Sequence, residues 1–450
     1  MPAATRHHAP ARQLDVRHAV SVCVGMVIGA GIFRTSPTVA ASLDSEAGLY
    51  LAWALGGGLS LVGALCFAEL ASAFPDAGGD YHFLRLAFGP RWGYLFAWSR
   101  FAIIHSGSMA LLAFVFGDYL GQWLPLGPQS SAVFAAAVIA ALTGLNLRGV
   151  RVGLGTQLGL MVLVIGGLLL LGLAAASLAW RGLPPAAPLR AAGGGSDPGT
   201  ALVFVFLAYG GWSDAATLSA EMRDDRRGIV RALVLGMAAV TLLYLLANWA
   251  YLRGLGLAGL AASTAPAADL MRLAFGRPGE LLIIGAVALT SVTVINAVLI
   301  AGARTTYAAA RDLQQAGLLG GRTGRALAAL DPQRGIPPAA IAALGAVALA
   351  LVGLGTWTRG GFATMVDYLS PVYWGFLVLS GLSLLVLRRR RPEVARPFRV
   401  PGYPVLPLLF IACSAYLLWA SLAYVRAGAL VGLVVLALGG LPLCLAGRRG

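Results

Sequence analysis

The chain has 450 residues, of which 58% are hydrophobic and 11% are charged, and its mean hydropathy is +0.80. Soluble globular domains carry about 25% charged residues, so this composition excludes a soluble enzyme, a disordered protein and a fibrous protein. The formal net charge of +15 arises from arginine without any lysine, and most arginines lie between apolar segments. This placement indicates topology signals and attraction to lipid headgroups, and it argues against a nucleic-acid surface.

Long uninterrupted apolar runs predict an all-α membrane protein, because a membrane β-barrel would show segments of about 10 residues with alternating polarity. Hydropathy predicts twelve transmembrane helices in chain order, at residues 18–42, 48–74, 93–120, 131–147, 154–179, 199–221, 229–252, 280–303, 338–356, 362–387, 403–424 and 427–446.

The spans are predicted to form two halves of five, followed by two further helices. Residues 1–17 are a cytoplasmic N-terminal segment, 18–180 hold the first five spans, 199–387 the next five and 403–446 the last two. An odd number of spans in each half forces opposite orientations in the membrane, so we expect a 5+5 inverted repeat.

The arginines also predict the orientation of the chain. When the spans alternate, most of the 33 basic residues fall on the side of the N-terminus. The positive-inside rule assigns that side to the cytoplasm, so both termini are expected there. No convincing cleavage site follows the first basic stretch, which favours a retained first helix. The arginine- and alanine-rich composition suggests a bacterial source, and we expect a multi-pass protein of the cytoplasmic (inner) membrane.

Glycines interrupt the first span near its centre. Gly29 and Gly31 flank Ala30 in the run VGMVIGAGIF at 24–33. Each glycine costs a helix about 1 kcal/mol relative to alanine, so the helix is expected to unwind at this point.

The sixth span contains a second pair, Gly210 and Gly211, in the run FVFLAYGGWSD at 204–214. Ser213 and Asp214 follow closely, and both are preferred N-cap residue types for a second half-helix. We therefore expect this helix to be interrupted at mid-membrane as well.

Two interrupted helices would suit a zwitterionic amino acid. Unwound backbone inside a membrane is tolerated only where it is buried in protein or lines a cavity. Free N–H groups at helix N-termini attract an anion, and carbonyls at helix C-termini attract a cation. Alternatively, the glycines only permit close packing of helices, but paired interruptions favour a transporter site.

Motifs along residues 18–312 resemble those of the amino acid–polyamine–organocation permeases. GAGIFRTSP at 29–37 is similar to the first-helix motif, and FLAYGGW at 206–212 with AEMRD at 220–224 to the sixth helix and its loop. AEL at 68–70 is similar to the second-helix motif. The motifs are most similar to those of bacterial relatives of the L-type and cationic amino acid transporters.

The resemblance implies the inverted-repeat fold and a binding site made of main chain at the two interruptions. The substrate carboxylate would contact N–H groups near Ala30 and Gly31, and the substrate amine would contact carbonyls of both interruptions. The implied substrate-binding residues are Val27, Ile28, Gly29, Ala30 and Gly31 in the first span, and Phe206, Leu207, Ala208, Gly210 and Gly211 in the sixth.

This sequence departs from the family pattern at two positions. Leu207 stands where members usually place a bulky aromatic gate, and Phe206 or Trp212 is a candidate to take over that role. Val164 occupies the position at which many relatives carry a lysine in the fifth helix. Because the chain has no lysine, a coupling mechanism that depends on this residue cannot operate unchanged.

Charged side chains within spans cost about 2.5–3.5 kcal/mol at the membrane centre, so each is a candidate for gating or coupling. Glu69 either pairs with a loop arginine or serves in gating or proton transfer. His105 either carries a proton or stays neutral and hydrogen-bonded. Asp214 either caps the second half of the sixth span or takes part in gating. Asp367, near the start of the tenth span, is expected to face outside water.

The sequence predicts a transporter and not an enzyme. The glycine run at 193–195 lacks the lysine of a phosphate loop, and no metal-ligand pair appears at helical spacing, so no cofactor and no metal are expected. The first hypothesis is secondary active transport of an amino acid, by proton symport or exchange. The alternatives are a polyamine or organic-cation permease on the same fold and a non-transporting membrane sensor or channel. The expected partners are the amino acid, membrane lipid and a proton, with no partner protein required.

Overall fold

The structure is a computed structural model that describes residues 20, 23–25, 27–75, 79–149, 155–183, 197–213, 227–315, 319–358, 360–423 and 427–446. Within these ranges the chain is helical, apart from loops and one isolated β-bridge between Asp331 and Ile336. The α-helices are α1 (Ile32–Ala41), α2 (Glu46–Ala73), α3 (Asp80–Phe88), α4 (Pro90–Ser99), α5 (Ser106–Trp123), α6 (Ser130–Leu147), α7 (Gly155–Trp180), α8 (Pro198–Ala208), α9 (Arg227–Ala262), α10 (Pro266–Gln315), α11 (Gly321–Leu327), α12 (Pro338–Trp357), α13 (Gly361–Arg390), α14 (Val405–Ala423) and α15 (Ala427–Ala446). A π-helix at Arg100–His105 joins α4 to α5.

Nine helices in the described part of the chain are long and apolar enough to cross a membrane, which confirms the predicted all-α membrane fold. Of the other predicted spans, the first is interrupted, the sixth contains the shorter apolar helix α8, and the twelfth corresponds to α15. The count of twelve spans and the division into two inverted halves remain predictions.

Helices α2 and α8 begin at side-chain caps. The Ser45 hydroxyl accepts a hydrogen bond from the Gly48 N–H at 3.1 Å, and the Asp197 carboxylate accepts one from the Thr200 N–H at 3.1 Å. Pro198 occupies the first position of α8, where the missing N–H would have no partner within the helix. These signals define the start of α8, whose other end lies at the predicted interruption.

Two glycines divide the longest helices. Gly256 in α9 has φ of 68°, and Gly276 in α10 has φ of 66°. Because glycine adopts positive φ without a steric penalty, each helix changes direction at this residue. The predicted span 229–252 lies in the long part of α9 before Gly256, and the predicted span 280–303 lies in the long part of α10 after Gly276.

Small residues let α2 approach two neighbours closely. Gly56 faces Val205 of α8, Gly57 faces Thr241 of α9, and a β-carbon on either glycine would collide with these side chains. Close approach of backbones is a common way in which membrane helices associate. Helix α2 therefore packs against both α8 and α9, and α8 also packs against α1.

The bundle has two ends, which are named here by their residues. Helices α2 and α13 end at Ala73 and at Arg390, and this end is called the arginine-rich face. Helix α5 ends at Trp123 and α6 begins at Ser130 at the other end, which is called the opposite face.

Candidate functional site

The first predicted span is interrupted at its glycines. Val27 is helical, whereas Ile28 and Gly29 are not, and α1 begins at Ile32 with Gly31 at its N-cap. In the described chain, the N–H groups of Gly31 and Ile32 donate no backbone hydrogen bond. The start of α1 therefore presents N–H groups and the positive end of a helix dipole inside the bundle.

The sixth predicted span is interrupted where Gly210 and Gly211 were expected to break it. Helix α8 ends at Ala208, a turn follows, and the Gly210 N–H donates to the Leu207 carbonyl at 3.1 Å. Gly211 has φ of 100°, a conformation that side-chain-bearing residues rarely adopt. Asp214 lies outside the described residues, so its role as a cap stays a prediction.

The two interruptions lie next to each other and share one hydrogen-bond donor. A β-carbon on Gly31 would be 3.9 Å from the Ala208 Cα. The Tyr244 hydroxyl lies 3.2 Å from the Val27 carbonyl oxygen and 3.0 Å from the Ala208 carbonyl oxygen. Because a phenol has one proton, it shares that proton between the last carbonyls of two half-helices. Tyr244 is fully buried in α9, and sequence reasoning missed it because it is an ordinary tyrosine in an apolar span.

An aromatic cluster supports Tyr244 from α2 and α8. The Tyr244 ring lies 5.4 Å from the Trp53 ring and 5.0 Å from the Tyr209 ring, measured between centroids. The Tyr209 hydroxyl donates to the Trp53 carbonyl at 2.9 Å. Tilted and edge-on ring contacts of this kind stabilise a buried cluster. The cluster therefore supports the backbone turn that follows α8.

The residues proposed for the gate face different helices. Phe206 meets the Trp374 ring of α13 edge-on at 6.1 Å. Trp212 packs between Phe67 and Phe410, with ring centroids at 5.2 Å and 5.8 Å. Leu207 is half-buried at the end of α8. Phe206 therefore ties α8 to α13, Trp212 ties the following residues to α2 and α14, and a gating role stays a prediction for both.

A polar pocket lies beside the interruption of the sixth span. It is lined by Asp80, Phe96, Arg100, Ile104, Ser213, Tyr373, Phe376, Leu377 and Ser380. A β-carbon on Gly210 would lie 3.9 Å from the Tyr373 hydroxyl, so the pocket reaches the turn after α8. Ser380 donates to the Asp80 carboxylate at 3.0 Å. The pocket thus extends from the interruption toward α3, a helix near the arginine-rich face.

His105 lies at the end of the π-helix, next to this pocket. The Arg100 guanidinium lies 3.3 Å from the His105 Nε2. Arginine has donors only, so in this contact the histidine nitrogen can only accept. The ring packs against Gly302 of α10, where a β-carbon would lie 3.1 Å from it. The structure places His105 beside an arginine, and both the proton-carrying role and the neutral hydrogen-bonded role of His105 stay predictions.

Glu69 is completely buried at the arginine-rich end of α2. Arg388 approaches it with two nitrogens, Nε at 2.7 Å and Nη2 at 2.5 Å, and the Val400 N–H donates to it at 2.7 Å. Arg396 Nε lies 3.6 Å from the same carboxylate. The ion pair with an arginine is therefore present, and a gating or proton-transfer role for Glu69 stays a prediction.

A second ion pair lies toward the opposite face. Arg34 of α1 donates to the Asp118 carboxylate of α5 at 2.8 Å, and Ser131 donates to the same carboxylate at 2.6 Å. Beside it, the Tyr119 hydroxyl donates to the Phe33 carbonyl at 2.8 Å. Sequence reasoning placed Arg34 inside a span but missed Asp118, because the contact joins residues 84 positions apart.

Two other sequence expectations concern buried positions. Asp367 was expected to face outside water. This is wrong, since Asp367 is a buried residue of α13 with an exposed fraction of only 8%. Val164, the position that the family resemblance assigned to a lysine in many relatives, is buried in α7. Its apolar side chain offers neither a charge nor a hydrogen bond at that position.

The profile of one protein family matches nearly the whole chain. The family is described as amino acid permease, and the match covers residues 14–434. The chain belongs to this amino acid permease family. The resemblance seen in the motifs of the first, second and sixth spans is thereby confirmed.

Animal amino acid transporters are similar to this permease over most of its length. The mouse b(0,+)-type amino acid transporter 1 is 27% identical over 430 residues, which cover 91% of this chain and 82% of the relative. The human Asc-type amino acid transporter 1 is 28% identical, covering 93% and 79%. The human large neutral amino acids transporter small subunit 2 is 27% identical, covering 91% and 76%.

Proposed function

We propose that this permease carries zwitterionic amino acids across a membrane by secondary active transport, with the substrate head group held at the two helix interruptions. The observation that carries the proposal is the pairing of the interruptions. The start of α1, which is an anion-attracting helix end, lies beside the end of α8, which is a cation-attracting one.

The carboxylate end of the substrate is assigned to the start of α1. Gly31 and Ile32 offer N–H groups that donate to no carbonyl in the described chain. N–H groups at a helix N-terminus bind carboxylates because the helix dipole adds a partial positive charge. No charged side chain is needed there, which agrees with the glycines and alanine of residues 29–31.

The ammonium end is assigned to carbonyls at the ends of the two preceding half-helices. Val27 and Ala208 already accept from Tyr244, and each carbonyl oxygen has a second lone pair for an ammonium proton. Tyr244 therefore acts as a positioning residue that aims both carbonyls at one point. Because Leu207 has no aromatic ring, we expect it to leave room for the side chain of the substrate.

Alternating access is supported by the unequal state of the two ends. The polar pocket beside Gly210 reaches toward the arginine-rich face, whereas the Arg34–Asp118 ion pair joins α1 to α5 toward the opposite face. We assign the arginine-rich face to the cytoplasm of a bacterial inner membrane by the positive-inside rule. Proton symport through His105 and exchange are both compatible with this arrangement, and no partner protein is needed for either.

Counterflow in proteoliposomes tests the proposal. Labelled amino acids should exchange into loaded vesicles, and repeating the assay with and without a pH gradient separates symport from exchange. Gly210→Val should abolish counterflow, because the new β-carbon would lie 3.0 Å from the Leu207 carbonyl oxygen at the turn. Gly353→Val is the matched control, since nothing lies within 4 Å of a β-carbon at that position in α12.

Tyr244→Phe separates positioning from folding. It removes only the shared hydrogen bond and should raise the KM of counterflow by about two- to tenfold. Tyr251→Phe is its control in the same helix, because the buried Tyr251 hydroxyl has no hydrogen-bond partner in the described chain. Equal KM values in the two variants, or uptake of polyamines without any amino acid, would contradict the proposal.

A further inference from the structure

Three helix ends that carry arginines meet on the arginine-rich face. The Arg390 guanidinium at the end of α13 donates to the Ala87 carbonyl near the end of α3 at 3.0 Å. Helix α4 begins at Pro90, and a β-carbon on Gly93 would lie 3.2 Å from the Arg85 Cβ of α3. The ends of α3 and α13 and the start of α4 are therefore in contact. This place, formed by residues 85–93 and 389–391, is called the three-helix junction.

The three-helix junction carries an excess of positive charge. Its exposed arginines are Arg85 in α3, Arg91 in α4, Arg389 and Arg390 in α13 and Arg391 directly after α13. The acidic residues within 79–95 and 385–395 are Asp80, which is buried and accepts from Ser380, and Glu393, which is exposed. A single exposed carboxylate therefore accompanies five exposed guanidinium groups, so the junction attracts an anion.

Most of these guanidinium groups are available to a ligand. In the described chain, the side chains of Arg85, Arg91, Arg389 and Arg391 form no hydrogen bond or ion pair with protein, whereas Arg390 donates to Ala87. The dipole of α13 favours arginines at its end, and the positive-inside rule accounts for their side of the membrane. Neither effect supplies an acceptor for their N–H groups, and neither requires three helix ends to meet.

The junction lies at the depth of lipid headgroups. Two long apolar helices have their ends here, since the stretch Pro90–Trp123 begins and the stretch Gly361–Arg390 ends at this place. Trp92 is 41% exposed, and the centroid of its ring lies 6.3 Å from that of Phe88. Tryptophan prefers the interface between the hydrocarbon core and water. Trp92 therefore places the neighbouring guanidinium groups at the level of the phosphates.

We propose that the three-helix junction binds the headgroup of an anionic phospholipid. A guanidinium group binds phosphate oxygens through two parallel hydrogen bonds, and it keeps its charge at any physiological pH. The acyl chains of the lipid would lie in the bilayer beside Trp92. A zwitterionic phospholipid fits less well, because its own ammonium group opposes the attraction of the arginines.

The bound lipid would join the start of α4 to the end of α13. These helices also contact each other deeper in the bundle, where the Phe96 and Phe376 rings lie 5.1 Å apart and line the polar pocket. Occupancy of the junction would therefore stabilise one wall of that pocket. Binding of the lipid does not depend on the proposed transport function, but an effect of the lipid on transport would rest on it.

Thermal unfolding of the purified full-length chain in detergent tests the site, with dioleoylphosphatidylglycerol as the anionic probe. This lipid should raise the melting temperature in a saturable way and more than dioleoylphosphatidylcholine does. The double variant Arg85→Gln/Arg91→Gln should weaken the apparent affinity for the anionic lipid by about fivefold for each arginine removed.

The matched control is Arg322→Gln/Arg325→Gln. It removes the same charge from two exposed arginines of α11, a helix that packs against α10 and α12. The control should keep the affinity for the anionic lipid. Where the double variant at the junction does not fold, Arg389→Gln against Arg322→Gln makes the same comparison with one charge.

Three outcomes would overturn the site. Equal stabilisation by the two lipids would mean that only the acyl chains matter. Equal weakening in both double variants would mean diffuse attraction to the whole face. Stabilisation by inorganic phosphate at the concentrations of the lipid would assign the junction to a free anion. Gly210→Val should keep the lipid effect and lose stabilisation by amino acids, so failure of this site is distinguishable from failure of the proposed function.

Discussion

Each end of the bundle carries an ion pair, and the two pairs differ in burial and in the number of groups that contact the carboxylate. At the arginine-rich face, Glu69 is 0% exposed and accepts from Arg388 and the Val400 main chain, with Arg396 close by. At the opposite face, Asp118 is 17% exposed and accepts from Arg34, which is 19% exposed, and from Ser131. The Glu69 carboxylate is fully buried and contacted by several donors, whereas the Asp118 carboxylate is partly exposed to solvent.

The difference indicates which end can open. A dry carboxylate that loses its arginine leaves an uncompensated charge in a low-dielectric interior, which costs several kcal/mol. A carboxylate at the edge of water can exchange its partner for solvent at small cost. We therefore expect the Glu69 cluster to persist through the transport cycle and the Arg34–Asp118 pair to open and close within it.

The largest effect is expected for Glu69→Gln. Loss of the charge on the fully buried Glu69 leaves Arg388, whose side chain is only 16% exposed, without its carboxylate, so the free energy of unfolding should fall by about 3–5 kcal/mol. Chemical or thermal unfolding in detergent measures this, with Glu393→Gln as the control because Glu393 is exposed near the same face. Replacing Glu69 and Arg388 together by methionine should cost less than the single change. An unaltered stability of Glu69→Gln would show that the cluster does not hold this end.

Asp118→Asn is expected to have a smaller effect on stability but to loosen the contact between α1 and α5. The unfolding free energy should fall by only about 0.2–1 kcal/mol, because the pair is partly solvated. Amide hydrogen exchange should become faster in α1, since Arg34 is no longer anchored to α5. Asp44→Asn changes an exposed carboxylate outside this pair and serves as the control. Unchanged exchange in α1 would mean that the pair does not restrain that helix.

The smallest effect is expected for Arg277→Gln in a third cluster, in which a buried carboxylate pairs with exposed arginines. Glu280 is buried, but its partners Arg272 and Arg277 are exposed, at 59% and 48%. Glu280 keeps Arg272 at 3.0 Å, so stability should change by less than about 0.5 kcal/mol in the same unfolding assay. A loss as large as that of Glu69→Gln would show that the exposure of the arginine does not set the cost.

The helix interruptions were predictable from the sequence, whereas the residues that align them were not. Gly29, Gly31, Gly210 and Gly211 weaken a helix wherever it lies, because the cost of glycine is a property of the local backbone. Tyr244 contacts Val27 across 217 residues of sequence. No local pattern distinguishes that tyrosine from others in apolar spans, so the donor shared by the two interruptions emerged only from the packing of α9.

For the charged residues too, the sequence identified candidates but not their partners or neighbours. Glu69 was recognisable as a candidate because a carboxylate inside an apolar span is costly wherever it is found. Its partner Arg388 lies 319 residues away, in a run of arginines that the sequence explains equally well as a topology signal. Asp367 was expected in water because hydropathy does not report which neighbours cover the start of a helix.

Composition and long apolar runs by themselves determined that this chain is an all-α membrane protein, and its glycine pairs determined where two helices are interrupted, because hydrophobicity and helix propensity are properties of the local sequence. The tertiary structure decided which interrupted ends meet, which carboxylate is fully buried, and which tyrosine donates to both interruptions. Those outcomes depend on the distances between helices far apart in the chain, and close packing of α2, α8, α9 and α13 sets these distances.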